Sequence, residues 1–272
     1  DIPMNNNTTN QEELETTIKR LQEENNFLKH ENESLKGIKS STTSTHPGEA
    51  EYDQACEIYW NGNWKAAIPL FEIAAEFKFP PAYIRLQTIY ESFHDKKAEK
   101  YPALIKSHQY WFVEQLQTGS PKSVYTYAMY LTTVKKDYEH ALLWYKKIAE
   151  EGYARAQWYL GVCYAEGIGT TKDLEQVIHW YQKAAEQGLG DAQCNLGLCY
   201  ADHAKDLKLA VYWIKKGAEQ SHPRSMFKYG GFFEKGTGVT KNLTEAALWY
   251  KKATEAGFPD AQEAFARLKS FL

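Results

Sequence analysis

The sequence predicts an all-α protein: a stack of helix hairpins preceded by a single coiled-coil helix. Three observations carry that prediction. Tryptophans at 111, 144, 180, 213 and 249 are spaced by 33, 36, 33 and 36 residues, a period at which one supersecondary unit is copied along a chain. Leucines at 14, 21, 28 and 35 are spaced by seven, which is the d column of a heptad. The chain also carries 19 Tyr, 12 Phe and 8 Trp in 272 residues, more rings than a disordered or low-complexity segment holds. Large rings therefore pack repeatedly.

The elements follow in order. Residues 1–10 are polar and Asn-rich and are read as disordered or as a vector-derived leader, with an upstream segment removed as the other reading. Residues 11–36 form the coiled coil. Its d column is Leu14, Leu21, Leu28 and Leu35, and its a column is Gln11, Ile18, Asn25 and Asn32. Buried Asn at a selects a two-stranded, in-register pair at some cost in stability. Glu24 facing Lys29 and Glu31 facing Lys36 favour the parallel register, so a weak parallel dimer is expected, a single solvated helix being the alternative. Residues 37–50, with Gly37 and a Ser/Thr run, read as a flexible linker.

Residues 51–118 read as divergent hairpins, residues 119–257 as four regular copies, and residues 258–272 as a capping helix. In each regular copy the first helix places small residues and rings at helical spacing, as in Ala156, Leu160, Gly161 and Tyr164. The second helix begins after Asp137, Asp173, Asp206 or Asn242, all favoured N-caps. Its inward stripe is exemplified by Val177, Trp180, Tyr181, Ala184 and Ala185. Pro121, Pro223 and Pro259 fall at the start of following first helices, where a missing N–H costs nothing. A single hairpin cannot bury such a stripe, so copies must stack and the ends need capping.

The text from Ala156 to Gly188, AQWYLGVCYAEGIGTTKDLEQVIHWYQKAAEQG, resembles the Sel-like repeat branch of the tetratricopeptide superfamily, whose pattern is A-x-x-x-L-G-x-x-Y-x-x-G-x-G followed by D-x-x-x-A-x-x-W-Y-x-K-A-A-E-x-G. The copy from Ser225 matches well, and those from Ser123 and Ala192 match with a shortened turn lacking G-x-G. Tyr52 to Pro80 is similar to a plain tetratricopeptide hairpin, and Pro81 to Gln117 is the most divergent stretch. The resemblance implies a right-handed α-solenoid that serves as a protein-binding scaffold. It further implies a concave groove lined by first-helix positions pointing away from the partner helix. These are Lys122, Tyr125 and Met129; Arg155, Trp158, Val162 and Glu166; Asp191, Cys194, Leu198 and Asp202; and Arg224, Phe227 and Lys235. Arg and aromatic side chains are the usual energetic anchors of interfaces. A Trp158 whose position repeats as Cys, Phe and Tyr is not demanded by the core pattern; the alternative is that such rings only cover their neighbours.

Other chemistry finds little support. Cys163 and Cys199 occupy equivalent places in adjacent repeats, about 9–10 Å apart for stacked helices, too far for a bridge; they read as reduced core thiols. The eight histidines form no zinc spacing, so no metal or cofactor is expected. GIGTTK from Gly167 and GTGVTK from Gly236 follow no strand and read as interhelix turns rather than phosphate loops. Asn242-Leu-Thr244 spells a glycosylation sequon, which the N-cap reading explains better. No nucleophile–base constellation is visible, so a non-enzymatic adaptor is expected, one that binds a protein or peptide in the groove and dimerises through residues 11–36. The alternatives are a bacterial effector or virulence factor engaging host proteins, a purely structural oligomeriser, and an RNA-binding helical repeat. Against the last, residues 51–272 hold 26 acids and 27 bases, whereas nucleic-acid binders carry a basic excess. No run of about 18 apolar residues and no charged leader before an apolar core is present, so a cytoplasmic protein, or one delivered into a host cell, is expected without insertion into a membrane.

Overall fold

The computed structural model describes residues 46–60, 62–116 and 120–272. The expected coiled coil over 11–36, with Leu14, Ile18, Leu21, Asn25, Leu28, Asn32 and Leu35, lies outside the described residues. So do residues 1–10 and the linker up to residue 45. Among the described residues there are fourteen α-helices and no strand. They pack as consecutive helix hairpins, the architecture of an α-solenoid.

The chain divides into two compact units. One holds the described residues up to Tyr52, Phe71–Glu151 and Ile168–Thr170; the other holds Asp53–Leu70, Gly152–Gly167 and Thr171–Leu272. Helices α1 (Glu49–Trp60) and α2 (Trp64–Glu76) contribute residues to both.

In the first unit, Tyr52 of α1 packs on Phe71 of α2 and on Phe79, with centroids 5.5 and 5.2 Å apart. Helix α3 (Pro80–Ser92) opens on a proline pair after extended Phe79 and buries Tyr83, Ile84, Leu86, Ile89 and Tyr90. Instead of a full-length partner it is followed by a 3-10 turn (Lys96–Lys100) and two short helices, α4 (Tyr101–Ser107) and α5 (Gln109–Gln115). The break between them has a local cause. Ser107 Oγ donates to the Leu104 carbonyl at 2.8 Å, and His108 Nδ1 lies 2.8 Å from the same oxygen; side chains that engage a backbone acceptor compete with helix continuation. Rings join the unit, with Phe112 stacked on Tyr130 at 4.7 Å and Phe79 edge-on to Trp111 at 5.5 Å. Its last hairpin is α6 (Pro121–Tyr130) and α7 (Tyr138–Glu150), in which Tyr127 meets Trp144 and Tyr125 meets Tyr145.

The second unit contains three further hairpins: α8 (Ala154–Glu166) with α9 (Leu174–Glu186), α10 (Gly190–Cys199) with α11 (Leu207–Glu219), and α12 (Pro223–Lys235) with α13 (Leu243–Glu255). Helix α14 (Ala261–Leu268) packs on α13. Each hairpin closes on a glycine. A Cβ at Gly161 would lie 2.5 Å from the Tyr181 ring, at Gly197 2.6 Å from Ile214, and at Gly230 2.9 Å from the Tyr250 ring. The second-helix side chain occupies the space a methyl would need, so the Leu-Gly pair of the repeat is a packing requirement. In α6 the equivalent residue is Ala128, fully buried.

The turns explain the alternation of 33 and 36. In the longer repeats Gly167 and Gly236 end the first helix in left-handed geometry, φ 75° each, and donate to Cys163 and Phe232 at 2.8 Å. In the shorter ones the chain winds through a π turn, Leu131–Lys135 or Tyr200–Ala204, and Lys136 or Lys205 takes the left-handed conformation at φ 56°. Both routes meet at one hydrogen bond. The N-cap amides of Asp137, Asp173, Asp206 and Asn242 donate to Leu131, Tyr164, Tyr200 and Phe233 respectively, at 2.9–3.1 Å, and these four carbonyls occupy the same repeat position. The four N-cap side chains then accept backbone N–H groups of the first turn at 3.0–3.3 Å. The Trp-x-x-Lys of the second helix is likewise structural: Lys147, Lys183, Lys216 and Lys252 sit 5.6, 5.0, 5.2 and 4.2 Å from the Trp144, Trp180, Trp213 and Trp249 centroids, within cation–π range. Pro121 and Pro223 open α6 and α12 as expected; Pro259 instead lies in the turn ahead of Asp260, the residue before α14.

Candidate functional site

Within the second unit, the first helices α8, α10 and α12 carry the predicted groove residues Arg155, Trp158, Val162, Glu166, Asp191, Leu198, Arg224, Phe227 and Lys235. Their surroundings differ. Glu166 and Lys235 are exposed, whereas Val162 and Leu198 are half-buried against the apolar clusters of their own hairpins. Arg224 donates to Asn195 Oδ1 at 2.7 Å, which ties α12 to α10. Asp191 Oδ1 lies 3.4 Å from His222 Nε2. Phe227 packs against Tyr250 and Phe258, with centroids 5.3 and 5.1 Å away. Cys194 is fully buried in the core of its hairpin.

Arg155 and Trp158 are placed differently, because they meet the chain's own N-terminal hairpin. Trp60, the last residue of α1, is edge-on to Trp158 with centroids 5.3 Å apart, and the Arg155 guanidinium lies 5.2 Å over the Trp60 ring. The turn that follows docks with its backbone. Gly62 has φ 83°, and a Cβ there would come within 2.5 Å of Pro223 Cδ and 3.3 Å of His222. Sequence reading missed Trp60 and Gly62 as members of this face. Trp-Asn-Gly-Asn is legible as a turn, but nothing local says that it lands on helices about 100 and 160 residues further on. The Trp158 indole N–H is buried there without a hydrogen-bond acceptor among the described residues.

The remaining predicted residues, Lys122, Tyr125 and Met129, belong to the first unit. Lys122 pairs with Glu49 at 3.0 Å. Tyr125 and Met129 are 5% and 6% exposed, the first against Tyr145 and the second 3.3 Å from the Arg85 guanidinium. In this fold they are interior residues.

No cluster of three or more His, Cys, Asp or Glu suited to a metal occurs among the described residues. The fold does bring Ser225, His222 and Asp191 together, in an order that superficially matches a hydrolytic triad. Ser225 is fully buried, however, and His222 Nδ1 lies 2.9 Å from its Oγ and accepts its backbone N–H at 3.3 Å; His222 is the N-cap of α12. Cys56, Cys163, Cys194 and Cys199 are all free thiols. Burial pushes the Cys163 thiol up to about 12 and Cys199 to about 11, so neither supplies a thiolate near neutral pH.

Comparison with known proteins agrees with this architecture. The Sel1 repeat model matches residues 126–153, 154–189, 190–222 and 223–258 in succession. Among solved structures, the chain is similar to a protective antigen of uropathogenic Escherichia coli with an SLR fold, at 27% identity and a TM-score of 0.54 over 80% of this chain. It spans about half of that protein, 48%. It is also similar in fold to a Sel1 repeat protein from Oxalobacter formigenes, at 24% identity and a TM-score of 0.51, covering 79% of this chain and 86% of that one. No curated protein sequence matches. Sel1 repeat proteins are generally protein-interaction scaffolds and typically non-catalytic; no helix among the described residues is long and apolar enough to cross a membrane. With the repeat glycines, N-caps and Trp-Lys pairs recurring in register with those matches, residues 126–258 are four consecutive Sel1 repeats.

Proposed function

We propose that the first-helix face of α8, α10 and α12 is the binding face of a non-enzymatic adaptor, with Arg155, Trp158 and Arg224 as its anchors for a protein or peptide partner. The observation that carries this reading is at Trp158. Its indole N–H is buried without an acceptor, and Arg155 beside it makes no ion pair among the described residues. A donor and a cation held together on one face are provided for by a partner that brings a carbonyl or carboxylate. Val162, Glu166, Leu198 and Lys235 flank the anchors. Asp191 and Phe227 are engaged within the fold and shape the face rather than anchor a partner.

Residues 11–36 pair two copies in this reading, which makes a second engagement intramolecular and raises avidity by about 10²–10⁴ where geometry allows. The test is affinity capture with wild-type chain and with the Arg155→Ala/Trp158→Ala/Arg224→Ala variant. Partners retained by the wild type alone, with the circular dichroism of the two matched, support the reading; identical partner sets refute it. Light scattering of the full chain across concentrations tests the dimer, which a concentration-independent monomer rules out. The likeness to a protective antigen favours a second reading, in which the partners captured are host proteins.

A further inference from the structure

The groove face has an occupant already. Trp60 and the turn at Gly62 lie on α8 and α12, with the Trp60 ring in contact with both Arg155 and Trp158 and the Gly62 backbone against His222 and Pro223. The turn is closed internally: Gly62 N–H donates to Tyr59 O at 2.9 Å and Asn63 N–H to Ile58 O at 3.2 Å. It therefore presents a ring followed two residues later by a left-handed glycine. Trp60 is 6% exposed, so the contact covers the ring. The fit is nevertheless incomplete, because among the described residues the Trp158 N–H has no acceptor and Arg155 makes no ion pair.

We propose that this turn is an internal ligand of the repeats, holding in cis the site that a partner takes in trans. The partner that replaces it presents the same aromatic-x-Gly turn and adds a carboxylate next to the aromatic residue. That extra group answers both unmet needs, since it pairs with Arg155 and accepts from the Trp158 indole. The inference rests on reading this face as a partner-binding face, and it makes binding an exchange. A site open for only part of the time binds more weakly in proportion to the open fraction.

Gly62→Val tests it on the full chain. The new side chain meets Pro223 and is strained at positive φ, so it lifts the turn while leaving every residue of α8, α10 and α12 in place; Trp60→Ala, which adds no bulk, is the second variant. Two readouts are needed. In hydrogen exchange, amides of residues 54–68 are expected to lose protection while those of α9, α11 and α13 keep theirs. In fluorescence anisotropy the probes are the synthetic peptide EIYWNGNWKA, which copies residues 57–66, and the same peptide with Asp in place of its Tyr. Both are expected to bind the variant about tenfold or more tightly than wild type, the Asp peptide the tighter of the two, and an added Arg155→Ala removes that preference. Loss of protection in α9, α11 and α13 together with 54–68 overturns the proposal, because the turn would then be part of the repeat core. So does release of 54–68 with no gain in peptide binding. Neither result bears on the capture test of Arg155, Trp158 and Arg224, which is read in the wild-type background.

Discussion

Replacing Gly161 by Ala sets two effects of opposite sign against each other, and the structure decides between them. Removing a glycine from a helix interior is worth about 1 kcal/mol in favour of Ala. At Gly161, however, the new Cβ would lie 2.5 Å from both Cδ1 and Cε1 of Tyr181. That ring has little room to retreat: Tyr181 is 4% exposed and shares its cluster with Ala184, Ala185, Leu196 and Trp213. Forcing a methyl into a filled core costs about 1–3 kcal/mol, so the net expectation is destabilisation of up to about 2 kcal/mol, a fall in Tm of up to roughly 8 °C for a chain of this size. Gly231 supplies the control. It is also in a first helix, but its nearest neighbour is the Tyr250 hydroxyl at 3.5 Å, an ordinary contact, so Gly231→Ala should stabilise by about 0.5–1 kcal/mol. Paired thermal and urea melts followed by circular dichroism measure both. Equal shifts in the two variants, or a stabilised Gly161→Ala, would refute the claim that the Leu-Gly pair exists to admit the second-helix ring.

Other expectations follow from the same geometry. Asp173→Ala removes an acceptor shared by the Glu175 and Gln176 amides and should cost about 1 kcal/mol, seen as faster amide exchange in the first turn of α9. Native protein at pH 8 should leave Cys163 unlabelled by a thiol reagent, while chain unfolded in urea labels fully; rapid native labelling at Cys163 contradicts its burial. Glu234 accepts from Arg267 and from the Tyr250 hydroxyl, and these bonds hold its carboxyl below the usual carboxylate range. A carboxylate depressed in the fold contributes stability above its unfolded pKa and loses it as pH falls through the folded one. Glu234→Gln should therefore lower the urea midpoint at pH 7, and the gap to wild type should narrow as pH falls below the ordinary glutamate value of about 4.3; a gap that does not change with pH counts against the pairing.

How much of this was readable in advance depended on distance along the chain. The N-caps Asp137, Asp173, Asp206 and Asn242 were legible because a cap is satisfied within three residues, and Gly161 because a small residue at a helical repeat position signals close approach. The halting of the second helix after α3 was not legible, since it turns on Ser107 and His108 engaging the Leu104 carbonyl, which depends on rotamers. The predicted groove was read one residue at a time from hairpin geometry. That logic places Tyr125, Met129 and Phe227 on the first-helix face but cannot see Arg85, Tyr145, Tyr250 and Phe258 packed against them. Trp60 was invisible for a stronger reason, because its partners Arg155 and Trp158 come from a part of the chain that no local pattern links to it.

The G-x-G of the longer repeats shows how a family motif acquires its residues. The first glycine of each, Gly167 and Gly236, does what Lys136 and Lys205 do in the shorter repeats, turning the chain through a left-handed residue, so by itself it does not demand glycine. The second glycine is different. A Cβ at Gly169 would stand 2.5 Å from the Tyr138 carbonyl oxygen, and at Gly238 2.9 Å from that of Leu207. Tyr138 and Leu207 are the first residues of second helices, α7 and α11, in the repeats that come before. The three extra residues thus bring backbone against the start of the preceding second helix, while the N-cap amide still returns to the same carbonyl. The insertion costs no register because that hydrogen bond fixes where the second helix starts. Glycine is required where the turn meets its neighbour, rather than where it bends.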